Sequence, residues 1–114
     1  MSDAAIALME NHARILSAIR GNEILISRCV KGNVRIKKIG NRSYYYLQNR
    51  DKDKIVSRYL GPVDSYDISS IEKEIVRREI MKQDNRRLRQ EARDVERMLK
   101  AVGIRNVGKL SNTE

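Results

Sequence analysis

The stretch that decides the fold, residues 31–62, reads KGNVRIKKIGNRSYYYLQNRDKDKIVSRYLGP. Three of its segments are rich in tyrosine and β-branched residues, which is typical of β-strands. These segments are residues 34–39, 43–48 and 54–60. Gly40-Asn41 provides the first hairpin turn and Arg50–Asp53 the second. Gly61-Pro62 is expected to end the sheet, because proline cannot donate to a strand ladder. Residues 34–60 are therefore predicted to form a three-stranded antiparallel meander.

Side chains alternate between the two faces of a strand, so the spacing of residues predicts which face each occupies. Tyr44 and Tyr46 share one face of the second strand. The third strand is ambiguous, because Arg58 has the same parity as two apolar residues. We expect Val56 and Leu60 to be buried and Arg58 to lie at the rim.

The meander lies between two helical segments. Residues 3–29 are predicted to form a helix with Asp3 as its N-cap. Its apolar stripe steps by four and three through Leu8, His12, Ile15, Ile19, Asn22, Ile26 and Cys29. This stripe favours one helix that continues past Gly21. The alternative is a strand over Glu23–Arg28, since Ile24 and Ile26 also alternate.

A second, longer helix is predicted over residues 69–102. Ser69–Glu72 matches a capping box, and Gly103 is placed to close the helix. Its apolar positions are Ile71, Ile75, Val76 and Ile80, then Leu88, Ala92, Val95, Leu99 and Val102. Residues 103–114 are expected to form a flexible tail. The prediction is a single α+β domain, 1–114: an N-terminal helix, a three-stranded antiparallel β-meander and a long C-terminal helix.

Positive charge is concentrated in the meander. Between Arg28 and Leu60, ten Lys or Arg residues face only two acids, so this stretch carries +8 of the formal net charge of +9. A basic ribbon interleaved with tyrosines is suited to a polyanion, above all to nucleic acid. The candidate nucleic-acid-binding residues are Arg35, Lys37, Lys38, Arg42, Tyr44, Tyr46, Arg50, Lys52, Lys54 and Arg58. The alternative is that the charges keep an edge strand soluble and the tyrosines pack.

The second helix carries another basic stripe at helical spacing. Its members are Arg78, Lys82, Arg86, Arg89, Arg93, Arg97 and Lys100. They lie along one face and would track a phosphate backbone. Acids are interspersed, however, and the pattern also suits a solvated coiled-coil flank held by ion pairs. We favour the second interpretation.

The residues expected of an enzyme are missing. His12 is the only histidine and falls on an apolar stripe, where it is expected to be a packing residue. Cys29 is the only cysteine, so no zinc cluster or internal disulfide is expected. No phosphate-binding glycine loop occurs. We therefore predict no catalytic residue, metal or cofactor.

The motifs around the tyrosines resemble a recurring bacterial pattern. Lys31-Gly32, Lys37-Lys38-Ile39, Tyr44–Arg50 and Ser57–Gly61 are similar to a "KG…KKI…YYYLQxR…SxYLG" hairpin followed by a long charged helix. That hairpin is found in small uncharacterised proteins of bacteria and their mobile elements, and a similar ribbon opens some transposases. The resemblance covers about residues 30–100 and implies a structural unit that faces a nucleic acid or another substrate. The Arg50–Asp53 turn departs from it by lacking the usual glycine.

Together these observations predict a non-enzymatic nucleic-acid-binding accessory protein of a phage or other mobile element, acting in the cytoplasm. Two alternative functions are also considered. One is a protein-binding inhibitor or adaptor of a nucleic-acid-processing enzyme, in the manner of anti-CRISPR proteins, and the other is a coiled-coil oligomerisation adaptor. A homodimer is expected, because a 114-residue chain without Trp or Phe builds only a modest core. No signal peptide or membrane span is expected. DNA and RNA are not distinguished.

Overall fold

The computed structural model describes residues 2–104. In chain order the elements are α1 (Asp3–Arg28), β1 (Asn33–Ile39), β2 (Arg42–Asp51), β3 (Lys54–Pro62) and α2 (Ser69–Ala101). The predicted α+β class and order of elements are confirmed. The tail from residue 105 lies outside the described residues, and its flexibility stays a prediction. The described chain divides into a helical unit, formed by residues 2–28 and 80–104, and a sheet unit, Cys29–Glu79. Whether they form a single domain, as the sequence predicts, stays a prediction.

The core of the helical unit lies between α1 and the C-terminal part of α2. Its buried cluster consists of Ile15, Ile19, Leu88, Ala92, Val95 and Leu99, with Leu8, Leu16 and Ile104 packed against it. The four-and-three spacing predicted most of this seam. Val102 is an exception, because 59% of it is exposed beyond the last buried turn. The predicted apolar positions Val76 and Ile80 are also exposed, at 57% and 61%.

Polar residues interrupt the apolar seam at two levels. Asn22 donates to Asn85 Oδ1 at 2.8 Å, and Asn85 in turn donates to the Ile19 carbonyl at 3.3 Å. His12 is buried, and its Nε2 lies 2.7 Å from Glu96 Oε2. The predicted packing role of His12 is thus joined to a polar contact. Paired polar groups inside an apolar seam fix the register of the two helices, since any slip leaves them unsatisfied.

Gly21 does not interrupt α1, which is helical through Arg28, so the alternative strand over Glu23–Arg28 is wrong. The predicted N-cap is also wrong by one residue. Ser2 Oγ accepts the amide of Ala5 at 3.1 Å, and the Ser2 carbonyl accepts that of Ile6. This is the pattern of an N-cap at Ser2, so Asp3 lies in the first turn.

The two ends of α2 compare differently with prediction. No capping box forms at its start, because the Glu72 amide bonds to the Ile68 carbonyl at 3.0 Å. Asp67 takes over this role by accepting the Ser69 amide at 3.0 Å, and the side-chain and backbone hydrogen bonds from Ser69 lower the pKa of Asp67. At the other end Gly103 closes the helix as predicted, with φ +87° and an Ile104-to-Leu99 backbone bond.

The sheet has the order β1-β2-β3, with both pairs antiparallel. β3 continues through Pro62, which pairs with Tyr44, two residues beyond the predicted end. Proline is tolerated there because β3 is an edge strand. The second turn contains Lys52 with φ 57°, the left-handed conformation for which glycine is usual. The Arg50–Asp53 turn, which lacks the glycine usual in the resembling pattern, thus places a lysine in this conformation.

Candidate functional site on the sheet

The strand register decides which residues share a face. Residues directly opposite each other in an antiparallel pair project from the same side of the sheet. Arg35 pairs with Tyr46, Lys37 with Tyr44, and Tyr46 with Tyr59. One side, which we call the tyrosine face, therefore carries Arg35, Lys37, Arg42, Tyr44, Tyr46, Arg50 and Tyr59.

Three tyrosine rings form a cluster on this face. The Tyr59 ring lies 5.5 Å from that of Tyr46 and 6.0 Å from that of Tyr44, centroid to centroid. Both pairs are inclined, at 66° and 52°. Such tilted contacts are the geometry that aromatic quadrupoles prefer. Tyr59 nevertheless remains 53% exposed, so the cluster holds its rings in place while leaving ring surface accessible.

Cations flank the rings. Lys37 Nζ lies 4.4 Å from the centroid of Tyr46 and hydrogen-bonds Ser57 Oγ at 3.3 Å. The Arg42 guanidinium lies 5.8 Å from the centroid of Tyr44. Its ion pair with Asp64 is long, at 3.5 Å, and both side chains are largely exposed, so this pair contributes little. Within residues 2–104, the positive charge of this face is thus mostly left uncompensated.

The predicted site residues do not all belong to this surface. Lys38, Lys54 and Arg58 have the opposite parity and lie on the other face, and Lys52 lies in the second turn. These four of the ten candidate residues therefore do not share the tyrosine face with the other six. The physical reason is the two-residue period of a strand, which sends neighbouring lysines such as Lys37 and Lys38 to opposite sides.

The opposite face differs in its packing. Leu47 is buried there, and Tyr45 packs edge-on against Tyr66 at 6.5 Å between centroids. Gly61 is buried at the base of this contact, since a Cβ on it would lie 2.6 Å from Tyr66 Cδ1. Val56, predicted to be buried, is 45% exposed on this face, whereas Leu60 is half-buried.

Tyr59 is the residue that sequence reasoning missed. The register shifts between Tyr45 and Tyr46, so that Tyr45 pairs with Gly61 and Leu60 is left over as a β-bulge. The sequence does contain one signal for Tyr59: neighbouring residues of a strand lie on opposite faces, so Tyr59 is expected on the face opposite to that of Val56 and Arg58. Its contact with the Tyr44 and Tyr46 rings depends on the register, which the sequence alone did not provide.

A cleft of about 500 Å³ opens in the sheet unit. Lys31, Arg35, Arg50 and Arg78 line it, together with the amides of Asn33 and Gln48. No acidic residue of the described chain lines it. Within residues 2–104, Arg78 Nε is buried and has no hydrogen-bond partner. An unsatisfied buried donor costs about 1–3 kcal/mol, and more when the group is charged.

The basic stripe on α2 has a different environment. Arg89 contacts Glu23 Oε2 at 3.3 Å, and Arg97 forms an ion pair with Asp94. Hydrogen bonds lower the pKa of Asp94, the larger contribution coming from Arg97 and the smaller from Gln90. The pKa of Asp84 is lowered in the same way, mainly by Arg87 and also by Asn22. Ion pairs within and between helices are what the favoured interpretation of this stripe predicts.

Within residues 2–104, no group of three or more His, Cys, Asp or Glu side chains is arranged to hold a metal ion. In the same range, neither helix is long and apolar enough to cross a membrane.

Comparison with protein-family models places part of the chain in a known family. The model of a family described as a domain of unknown function, DUF6788, matches residues 8–70, which is more than half of the chain. The match includes most of α1, the whole sheet and the first residues of α2. Neither the curated proteins nor the solved structures contain a match. The protein therefore belongs to the DUF6788 family.

Proposed function

We propose that this protein is a non-enzymatic nucleic-acid-binding protein whose binding surface is the tyrosine face. One observation carries the proposal: three tyrosine rings, of which Tyr59 contacts both Tyr44 and Tyr46, share a single sheet face with four cations. Those cations are Arg35, Lys37, Arg42 and Arg50. A face built only for packing has no use for uncompensated cations, and a face built only for solubility has no use for an exposed ring such as that of Tyr59.

The chemistry of the face suits a strand with accessible bases. An exposed ring such as Tyr59 stacks on a base, and each such contact contributes roughly 1–3 kcal/mol. The flanking cations neutralise phosphates and release counterions, so the affinity falls steeply as salt rises. Stacking tolerates any base, and phosphate contacts carry no sequence information. The proposed binding is therefore sequence-tolerant and favours single strands over duplex.

A matched pair of variants tests the proposal. Lys37→Gln and Lys38→Gln remove the same charge from adjacent positions, but only Lys37 lies on the tyrosine face. Fluorescence anisotropy with single- and double-stranded DNA and RNA, titrated across salt, measures the affinity. We expect Lys37→Gln to weaken binding several-fold more than Lys38→Gln. Absence of wild-type binding at about 50 mM salt, where phosphate contacts are strong, would remove the proposal.

Further expectations accompany the proposal. The resemblance of residues 31–61 to the hairpin of mobile-element proteins supports a role in the service of a phage or other mobile element. The helical unit exposes Ile24, Leu25 and Ile80 by 53%, 49% and 61%, which supports assembly into a homodimer. We place its action in the cytoplasm. Sedimentation equilibrium and cell fractionation test the last two expectations.

A further inference from the structure

The cleft in the sheet unit has the composition of a site for an anion. Four of its lining residues are cations, two of which, Arg35 and Arg50, also belong to the tyrosine face. The other two, Lys31 and Arg78, come from outside the strands. Four cations gathered around one concavity repel one another, and that repulsion is relieved when an anion enters.

Arg78 adds a second, independent observation. Its Nε is buried and has no hydrogen-bond partner within residues 2–104. Glu74, one turn earlier in α2, accepts the backbone amide of Val30 at 3.1 Å. A buried guanidinium donor calls for an acceptor, and the oxygens of a phosphate provide several in the geometry that arginine matches.

We propose that this cleft binds a phosphate group of the nucleic acid, with Arg78 and Lys31 as binding residues in addition to those of the tyrosine face. The inference rests on the proposed function and extends its binding site from the strands to α2. The amides of Asn33 and Gln48, which face each other across β1 and β2, are available to the sugar or base attached to that phosphate. At about 500 Å³ the cleft is of the size usual for small-ligand sites and holds a nucleotide unit.

Two kinds of phosphate in a nucleic acid fit this cleft: an internal phosphodiester of the strand, or a terminal monophosphate at its end. Oligonucleotides of one sequence, with and without a 5′-phosphate, distinguish them. A stronger interaction with the phosphorylated strand, lost in Arg78→Gln, identifies the terminal group. Equal affinities for the two strands, both weakened by Arg78→Gln, identify an internal phosphodiester. Either result supports the cleft as a phosphate site.

The decisive experiment compares Arg78→Gln with Arg77→Gln. Both variants lose one charge at adjacent positions of α2, but Arg77 is exposed and does not line the cleft. We expect Arg78→Gln to weaken binding about tenfold and to reduce the slope of log affinity against log salt by about 0.7 for a single strand, the value for one lost phosphate contact. For Arg77→Gln we expect less than a twofold change in affinity. Equal effects of the two variants would overturn the inference.

Lys31→Gln provides a second test that does not depend on how α2 tolerates substitution. Lys31 lies outside the basic stripe of α2, so its loss weakens binding only if the cleft itself is used. Lys82→Gln, the next position of that stripe, is its counterpart. If Lys82→Gln weakens nucleic-acid binding and Lys31→Gln does not, the nucleic acid follows the helix, and the cleft is refuted as a phosphate-binding site.

Failure of this inference is distinguishable from failure of the proposed function. If the wild type binds nucleic acid and Lys37→Gln weakens it while Arg78→Gln and Lys31→Gln do not, only the cleft is refuted. If the wild type binds no nucleic acid at low salt, both are refuted. Circular dichroism of each variant confirms that the comparison is made between folded proteins.

Discussion

The helical unit buries a cluster of its apolar side chains, whereas the sheet unit leaves most of its large apolar side chains exposed. In the helical unit, six apolar residues form a buried cluster, and Ala92 and Leu99 are fully inaccessible. In the sheet only Leu47 among the large apolar residues is buried, whereas Ile36, Ile39 and Ile55 are 60–66% exposed. Since apolar burial is the main favourable contribution to folding, the stability of this protein should depend chiefly on the helices.

The difference bears on function because a surface that does not have to hold the fold together is free to bind. The tyrosine face combines the exposed ring of Tyr59 with cations, and substitutions there are expected to change affinity more than stability. Substitutions in the helical seam should do the reverse.

The largest effect is expected in the helical seam. Leu99→Ala removes a side chain with no solvent exposure and should lower the free energy of unfolding by about 2–5 kcal/mol, through lost burial and the cavity left behind. Met98→Ala is the matched control, because Met98 is 48% exposed and its truncation should change stability by about 0.5 kcal/mol or less. Urea denaturation measures both. Similar losses in the two variants would mean that the seam does not carry the stability.

The glycine at the base of the Tyr45–Tyr66 contact gives the next largest effect. Gly61→Ala places a Cβ against the Tyr66 ring, and the displacement should cost about 1–3 kcal/mol. Gly21→Ala should instead raise the stability, by about 0.5–1 kcal/mol, because alanine favours a helix more than glycine does. The added Cβ at Gly21 has no atom within 4 Å outside its own stretch of helix, so it causes no clash. Thermal unfolding distinguishes the two. Stabilisation by Gly61→Ala would contradict the observed packing.

Tyr59→Leu should separate binding from stability. We expect the affinity for a single strand to fall by roughly 1–3 kcal/mol, the value of one stacking contact. Stability should change by about 1 kcal/mol or less, because Tyr59 is half exposed and its ring pairs are cross-strand contacts. Tyr66→Leu is the control: it alters the packing of the opposite face and should leave the affinity of the folded protein unchanged. Equal losses of affinity in both variants would refute a division between the faces.

Local patterns in the sequence predicted the elements of the fold well. The four-and-three spacing of Ile15, Ile19, Leu88 and Leu99 reports burial directly, because a helix repeats its faces within one turn. The same local signals were less accurate at the ends of helices. Ser2 and Asp67, rather than Asp3 and Ser69, accept the free amides, since capping depends on the backbone conformation just outside the helix.

The candidate site was only half predictable. The cations and tyrosines of β1 and β2 were named from composition, and strand parity divides them correctly between faces. The contribution of Tyr59 depends on a bulge at Leu60, and that of Arg78 on a cleft formed by residues distant in sequence. Arg78 belongs to the basic stripe predicted from the sequence, but its place in the cleft, like the ring contacts of Tyr59, depends on register and tertiary proximity, which no local pattern contains.

The smallest expected effect is an acid-dependent loss of stability in the helices. Hydrogen bonds from Arg97 and Gln90 hold the pKa of Asp94 below its ordinary value of 3.8. A carboxylate whose pKa is lowered by folding contributes its full stability above the ordinary value, and the contribution is lost as the pH falls through the lowered pKa. Stability should therefore decline below pH 3.8, and Asp94→Asn should make that decline shallower.

Urea denaturation between pH 6 and pH 2.5 (roughly the range that spans carboxylate titration) measures this decline in the wild type, Asp94→Asn and Arg97→Gln. Arg97→Gln removes the main hydrogen-bond donor to Asp94 and should flatten the pH dependence in the same direction. Tyr59→Leu, on the sheet, should keep the wild-type profile. If Asp94→Asn and the wild type lose stability in parallel as the pH falls, the exposed Asp94–Arg97 ion pair contributes nothing to stability. A binding role for Arg97, as a member of the basic stripe, would then have to be considered again.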